Sequence, residues 1–172
     1  MQWPNREDRE KFEIDGFIEA YARLPEARRL VVVRKSEKPD WIVVDPATAE
    51  EFGIELTSVY LDDRSVPDSH MAWHADGETR EIPYSKAALA QYKARLIEAI
   101  QQKIAKARSG YDATRPLILA IYVNEYVGIY LGQEELDELT RSNESLFDDM
   151  HPFSEIAFWS LGNGGIFRVR PN

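Results

Sequence analysis

No cysteine occurs anywhere in the chain, so disulfides, thiolate metal ligands and cysteine nucleophiles are excluded together. No run of about 18 apolar residues is present, which argues against a membrane-spanning helix. The opening residues, MQWPNREDREKFE, are charged rather than signal-like, and the chain is expected to be cytoplasmic with no membrane partner. Positive charge is also in deficit: 21 Lys and Arg stand against 30 Asp and Glu, a formal net charge of -9. This argues against a basic coat for non-specific nucleic-acid binding, although not against a local basic surface. There is no Gly-rich phosphate loop of Walker type and no Gly-x-Ser-x-Gly elbow.

What is present is apolar material in quantity, 44% of 172 residues with 11% aromatic, enough to bury the core of one domain. Ile14, Phe17, Ile18, Tyr21 and Leu24 recur at helical spacing and predict a helix over Asn5–Leu24, stopped by Pro25. Arg29–Lys35, Asp40–Asp45 and Ile54–Tyr60 read as strands, the last two as an antiparallel hairpin around a turn at Pro46–Glu51. Leu61–Pro83 is a long polar loop. Ser85–Arg108 is a capped helix with a stripe of Leu89, Leu96, Ile97, Ile100 and Ile104. Pro116–Tyr122 is a strand buried on both faces. A short helix at Gln133–Arg141 precedes strands at Phe153–Leu161 and Gly165–Arg170, joined around Asn163-Gly164. The expected fold is α/β: a single domain over 1–172, with a mixed central β-sheet flanked by helices in the order α-β-β-β-α-β-α-β-β.

The chemistry lies in Pro39-Asp40 followed by Glu55-Leu56-Thr57. Asp40 opens one strand of the hairpin, and Glu55 and Thr57 share a face of the next because strand side chains alternate. Two carboxylates from neighbouring strands can converge on one Mg²⁺ (or Mn²⁺), a cation that takes hard oxygen ligands and keeps several waters. Such a metal polarises a phosphodiester and lowers the pKa of a bound water. The plainer reading of Asp40 is a turn cap at a strand start.

This pattern resembles the PD-(D/E)XK, or restriction-endonuclease-like, nuclease superfamily. There a helix, three strands, a helix and a strand carry Pro-Asp on one strand and Asp/Glu-x-Lys on the next. The resemblance covers roughly residues 5 to 123, and the rest more loosely. It implies a Mg²⁺-dependent nuclease with Asp40 and Glu55 as catalytic metal ligands. One departure is plain: the motif lysine is expected at position 57, where this chain has Thr57, which cannot supply positive charge to an attacking water or a phosphorane-like transition state. In some members the lysine moves to the following helix. Lys103 is the preferred substitute here, and Lys93 the second. The alternative is that both solvate the helix flank. Members also contribute a glutamate from the first helix, where Glu10 projects onto the apolar stripe and Glu13 onto its edge. Acids in first helical turns otherwise favour the dipole and reach solvent.

His70 and His74 have the spacing of a zinc pair but sit in the polar loop without a His-Glu-x-x-His signature, so an exposed loop is the better reading. Two functions follow. One is a metal-dependent nuclease acting on DNA or RNA, its phosphates guided by the six Lys and Arg between Lys86 and Arg108. The other is a non-catalytic protein-interaction or inhibitor module on the same scaffold, favoured by Thr57 and the acidic balance.

Overall fold

The helical and alternating periodicities become helices and strands in the computed structural model, which describes residues 6–59, 85–123, 131–160 and 165–171. Along the chain these are α1 (Arg6–Tyr21), β1 (Val31–Lys35), β2 (Trp41–Asp45), β3 (Glu50–Val59), α2 (Lys86–Gly110), β4 (Leu117–Val123), α3 (Gln133–Ser142), α4 (Glu144–Asp148), β5 (Phe153–Trp159) and β6 (Ile166–Val169). The order is the expected one with a short extra helix, α4, which turns on Asn143 and buries Phe147. The loop expected over Leu61–Pro83, with His70 and His74, and the turn at Asn163-Gly164 lie outside the described residues.

Several boundaries differ for identifiable reasons. Helix α1 ends at Tyr21 rather than Leu24, because the residue before Pro25 is disfavoured in helical geometry and Arg23 and Leu24 close i→i−3 turns instead. Helix α2 runs to Gly110 and is capped by the Tyr111 N–H on the Ala107 carbonyl. Strand β3 begins at Glu50, four residues before the expected start, since Glu50 and Glu51 pair with Asp45 and Val44. The hairpin loop is therefore only Pro46–Ala49. It closes with Ala49 in the left-handed region (φ 58) and with the Asp45 carboxylate accepting from the Ala47 N–H.

Among the described residues the strands form one six-stranded sheet in sequential order, β1-β2-β3-β4-β5-β6. The outer pairs are antiparallel, while β3, β4 and β5 run parallel through the α2 and α3–α4 crossovers. All seven residues of β4 are buried, as a central strand covered on both faces requires. One face packs against α2, α3 and α4 through Leu96, Ile100, Ile104, Leu119, Ile121 and Phe158. The other packs against α1 through Ile14, Phe17, Val43, Ile54, Ala120 and Trp159.

Gly53 lies inside β3, not ahead of it. A Cβ there would stand 2.5 Å from Cγ of Pro39 and 2.6 Å from Cδ2 of Leu117. Only glycine lets the rigid Pro39 ring lie against this strand, and that contact seats the neighbouring Asp40. Gly53→Ala is expected to cost about 1–3 kcal/mol of stability through overpacking. A urea midpoint equal to wild type would show that the proline ring yields freely.

Candidate functional site

Strand β2 has 5 residues and β3 has 10, so β3 outruns its partner. Trp41 opposite Ile54 is the last pair of the ladder. One step further, Asp40 faces Glu55, and on that side the ladder offers the N–H of Leu56 no further strand residue. The Asp40 carboxylate takes that bond, with Oδ2 2.8 Å from the Leu56 nitrogen. The turn-cap reading of Asp40 thus contains part of the truth: this aspartate finishes a ladder that β2 leaves open.

Glu55 alternates onto the α2 face, beside Leu119 of β4, and is 1% exposed. A carboxylate this deep needs a cation. Lys103 supplies it from α2, reaching down with Nζ 2.7 Å from Oε1 of Glu55 and 3.2 Å from the Leu56 carbonyl. Lys106, nearly one turn on and half exposed, places its amine 3.7 Å from the same oxygen. Oε2 of Glu55 is buried with no hydrogen-bond partner among the described residues. Burial and the facing Glu55 charge push the Asp40 carboxyl above the usual aspartate range, against the opposing pull of the Leu56 N–H, Lys103 and Lys106.

Asp40, Glu55 and Lys103 are therefore brought together. Thr57 stands two residues beyond Glu55 on the same face, half-buried, where the resemblance would have a lysine. The remaining candidates go elsewhere. Lys93 lies ten residues before Lys103, about 15 Å along the helix, and pairs with Glu138 of α3. Glu10 pairs with Lys35, and Glu13 accepts from the Ser58 hydroxyl on the α1 face of the sheet, opposite to the face of Glu55. The basic flank of α2 does not act as a unit either, since Arg108 is spent on Asp149 and the His151 carbonyl.

Two neighbours were missed in the sequence. Lys106 is i+3 from Lys103 and so shares its face, a signal that was there to be used. Tyr111 directly follows α2. Its ring lies 5.7 Å from the Lys106 amine, and its hydroxyl is buried without a hydrogen-bond partner among the described residues. Burial first, and then the Glu55 and Asp40 carboxylates, push its phenol far above the usual tyrosine range, so it stays neutral.

The donors present suit a hard divalent cation. Glu55 keeps a buried, unshared oxygen, and Asp40 carries a carboxylate held beside a like charge. Among the described residues no cluster of three or more His, Cys, Asp or Glu converges. Two carboxylates are nevertheless the usual protein share for Mg²⁺, which retains several waters. An open cavity of about 620 Å³ lies away from this site, near Leu89, Lys93, Glu138 and Arg141. Its lining residues include the Lys93–Glu138 ion pair and, among the described residues, no buried unshared polar atom, so the chemistry is better placed at Asp40 and Glu55. No helix among the described residues is long and apolar enough to cross a membrane.

Compared with known proteins, the chain matches no family model, no curated protein and no solved structure.

The raised Asp40 pKa has a consequence with a definite sign. A carboxyl that ionises less readily when folded holds its proton more tightly in the native state, so stability falls as pH rises from the unfolded value, about 3.9, through the folded one. Asp40→Asn keeps an acceptor for Leu56 and removes the charge. It is expected to melt above wild type at pH 7, with the gap narrowing as pH falls through the folded value and closed by about pH 4. A lower melting temperature at pH 7 would mean that the ladder-closing bond outweighs the repulsion.

Proposed function

We propose that the chain is a divalent-metal-dependent nuclease that hydrolyses phosphodiester bonds. The observation that carries the reading is the amine of Lys103 at 2.7 Å from Glu55, across from Asp40. A lysine borne by the helix after the third strand stands in for the one absent at Thr57. It also places two acids and a cation at a fork in the sheet, as the likeness to PD-(D/E)XK nucleases implies. Mg²⁺ or Mn²⁺ between the two carboxylates would supply Lewis acidity and a water of lowered pKa.

The chain's own groups divide the remaining work. Glu55 and Asp40 would hold the cation. Lys103, already oriented by Glu55 and the Leu56 carbonyl, offers its positive charge to the developing charge on phosphorus-bound oxygen. Lys106 has freedom to meet a phosphate, being 54% exposed. Lys38, whose amine lies beside Gly110 at the end of α2, extends the basic margin. These lysines form a local positive rim on a chain of net charge -9, enough to draw a polyanion to one place.

The second reading is an interaction or inhibitor module in which Lys103 and Glu55 form a closed structural ion pair. The acidic balance favours it. Cleavage of DNA and RNA substrates with Mg²⁺ or Mn²⁺ separates the two. Asp40→Ala and Glu55→Ala are expected to abolish cleavage, and Lys103→Met to lower kcat by about 10²-fold. Cleavage retained by folded Glu55→Ala would sink the nuclease assignment. An inactive wild type that forms a stable protein complex surviving Glu55→Ala would establish the module.

A further inference from the structure

Beside the acid pair stand two buried polar atoms of opposite kind, each without a partner among the described residues: the acceptor Oε2 of Glu55 and the donor hydroxyl of Tyr111. Oε1 of the same carboxylate is fully engaged by Lys103 at 2.7 Å and Lys106 at 3.7 Å. Buried polar groups are rarely left unpaired in a finished structure, and here the donor and the acceptor are neighbours, since the Glu55 carboxylate helps to raise the Tyr111 phenol. Tyr21 and Glu155 leave a like donor and acceptor open, but two arginines face that carboxylate, whereas Glu55 is faced by Asp40. The position of Tyr111 is tightly set. Its N–H caps α2 on the Ala107 carbonyl at 3.1 Å, its ring packs on the α2 side of the core, and the Lys106 amine lies over that ring.

We infer that Tyr111 is a positioning residue for cation binding: its hydroxyl would hold Oε2 of Glu55 by a hydrogen bond, so that this carboxylate and Asp40 together could take up a divalent cation. The inference rests on the metal-site reading above and names a residue outside the motif that suggested that reading. A ligating carboxylate is commonly held by a hydrogen bond from behind, and losing such a partner weakens metal affinity by roughly 10–100-fold. Lysine alone does not do this here, because both amines lie on the other oxygen. A phenol suits this role because, while neutral, it donates a single hydrogen and adds no charge that would repel the cation.

The test is Mn²⁺ titration calorimetry on the whole chain, comparing wild type with Tyr111→Phe, Glu55→Ala and Tyr92→Phe. Tyr92 is the matched control, a buried phenol on α2 whose hydroxyl donates to the Val59 carbonyl at 2.9 Å, away from the acids. The expected result is Mn²⁺ binding by wild type, its loss in Glu55→Ala, a Kd raised roughly tenfold in Tyr111→Phe, and no change in Tyr92→Phe. Circular dichroism and melting curves taken without metal establish that each variant is folded. Equal Kd values for wild type and Tyr111→Phe overturn the role of Tyr111 while the acid pair stands as a metal site. Equal weakening in Tyr111→Phe and Tyr92→Phe also overturns it, since loosened packing then accounts for both. Absence of binding by wild type, or binding retained in Glu55→Ala, removes the metal-site reading itself and the inference with it.

Discussion

Strand β3 continues past the end of β2, and the bare edge this creates governs the arrangement around it. A backbone N–H inside a domain must find an acceptor. At Leu56 the acceptor is a side chain, Asp40, because β2 has already ended. Using a carboxylate for that bond sets a negative charge across from Glu55, which the pleat has already turned inward towards α2. Two acids at one fork require cations, and α2 delivers Lys103 and Lys106 on one of its faces. Gly53 completes the device by giving the Pro39 ring room to lie flat on β3 and aim Asp40 at the fork.

A second buried glutamate in the same sheet is paired differently. Glu155 of β5 lies on the α1 face and is 2% exposed. Two arginines, one from neighbouring β6 and one just beyond it, approach a single oxygen, Arg170 at 2.9 Å and Arg168 at 3.8 Å. Tyr21 of α1 closes over it, and burial together with the Glu155 charge holds that phenol above the ordinary range. This cluster joins the last strand to the first helix with guanidinium groups, which remain charged under all ordinary conditions. The Glu55 site instead uses primary amines and faces another acid, Asp40, whose pKa is raised. The Asp40–Glu55 pair therefore holds like charges together at a cost to stability, which the Glu155 cluster avoids.

Much of the architecture was legible in the residues. The long helix showed its apolar stripe, the fully apolar PLILAIY run announced a central strand, and short spacing between DWIVVD and the following strand announced a hairpin. What failed were boundaries settled by partners outside the segment itself. Glu50 and Glu51 look like turn residues, yet they are strand because Asp45 and Val44 stand opposite them. Tyr92 does not stand out as core, but its ring is fully buried and its hydroxyl finds the Val59 carbonyl. Helix α4 has too few residues to show a period, and it forms because Phe147 has a core to enter.

The site divides along the same line. Asp40, Glu55 and Lys103 could be picked out because strand alternation and helical spacing are local rules, and the motif order linked the elements that carry them. Those rules assign a face to a side chain but not a partner. Lys93 and Lys103 both qualified on the helix wheel; the packing of α3 against α2 gives Lys93 to Glu138, and the packing of β3 beneath α2 gives Lys103 to Glu55. Glu10 and Glu13 likewise belong to a helix that covers the opposite face of the sheet. Local periodicity thus determined the elements, their order and which residues turn inward. Convergence of Asp40, Glu55, Lys103, Lys106 and Tyr111 was decided only by the tertiary structure, because it depends on strand register and helix docking, which no single segment of the chain encodes.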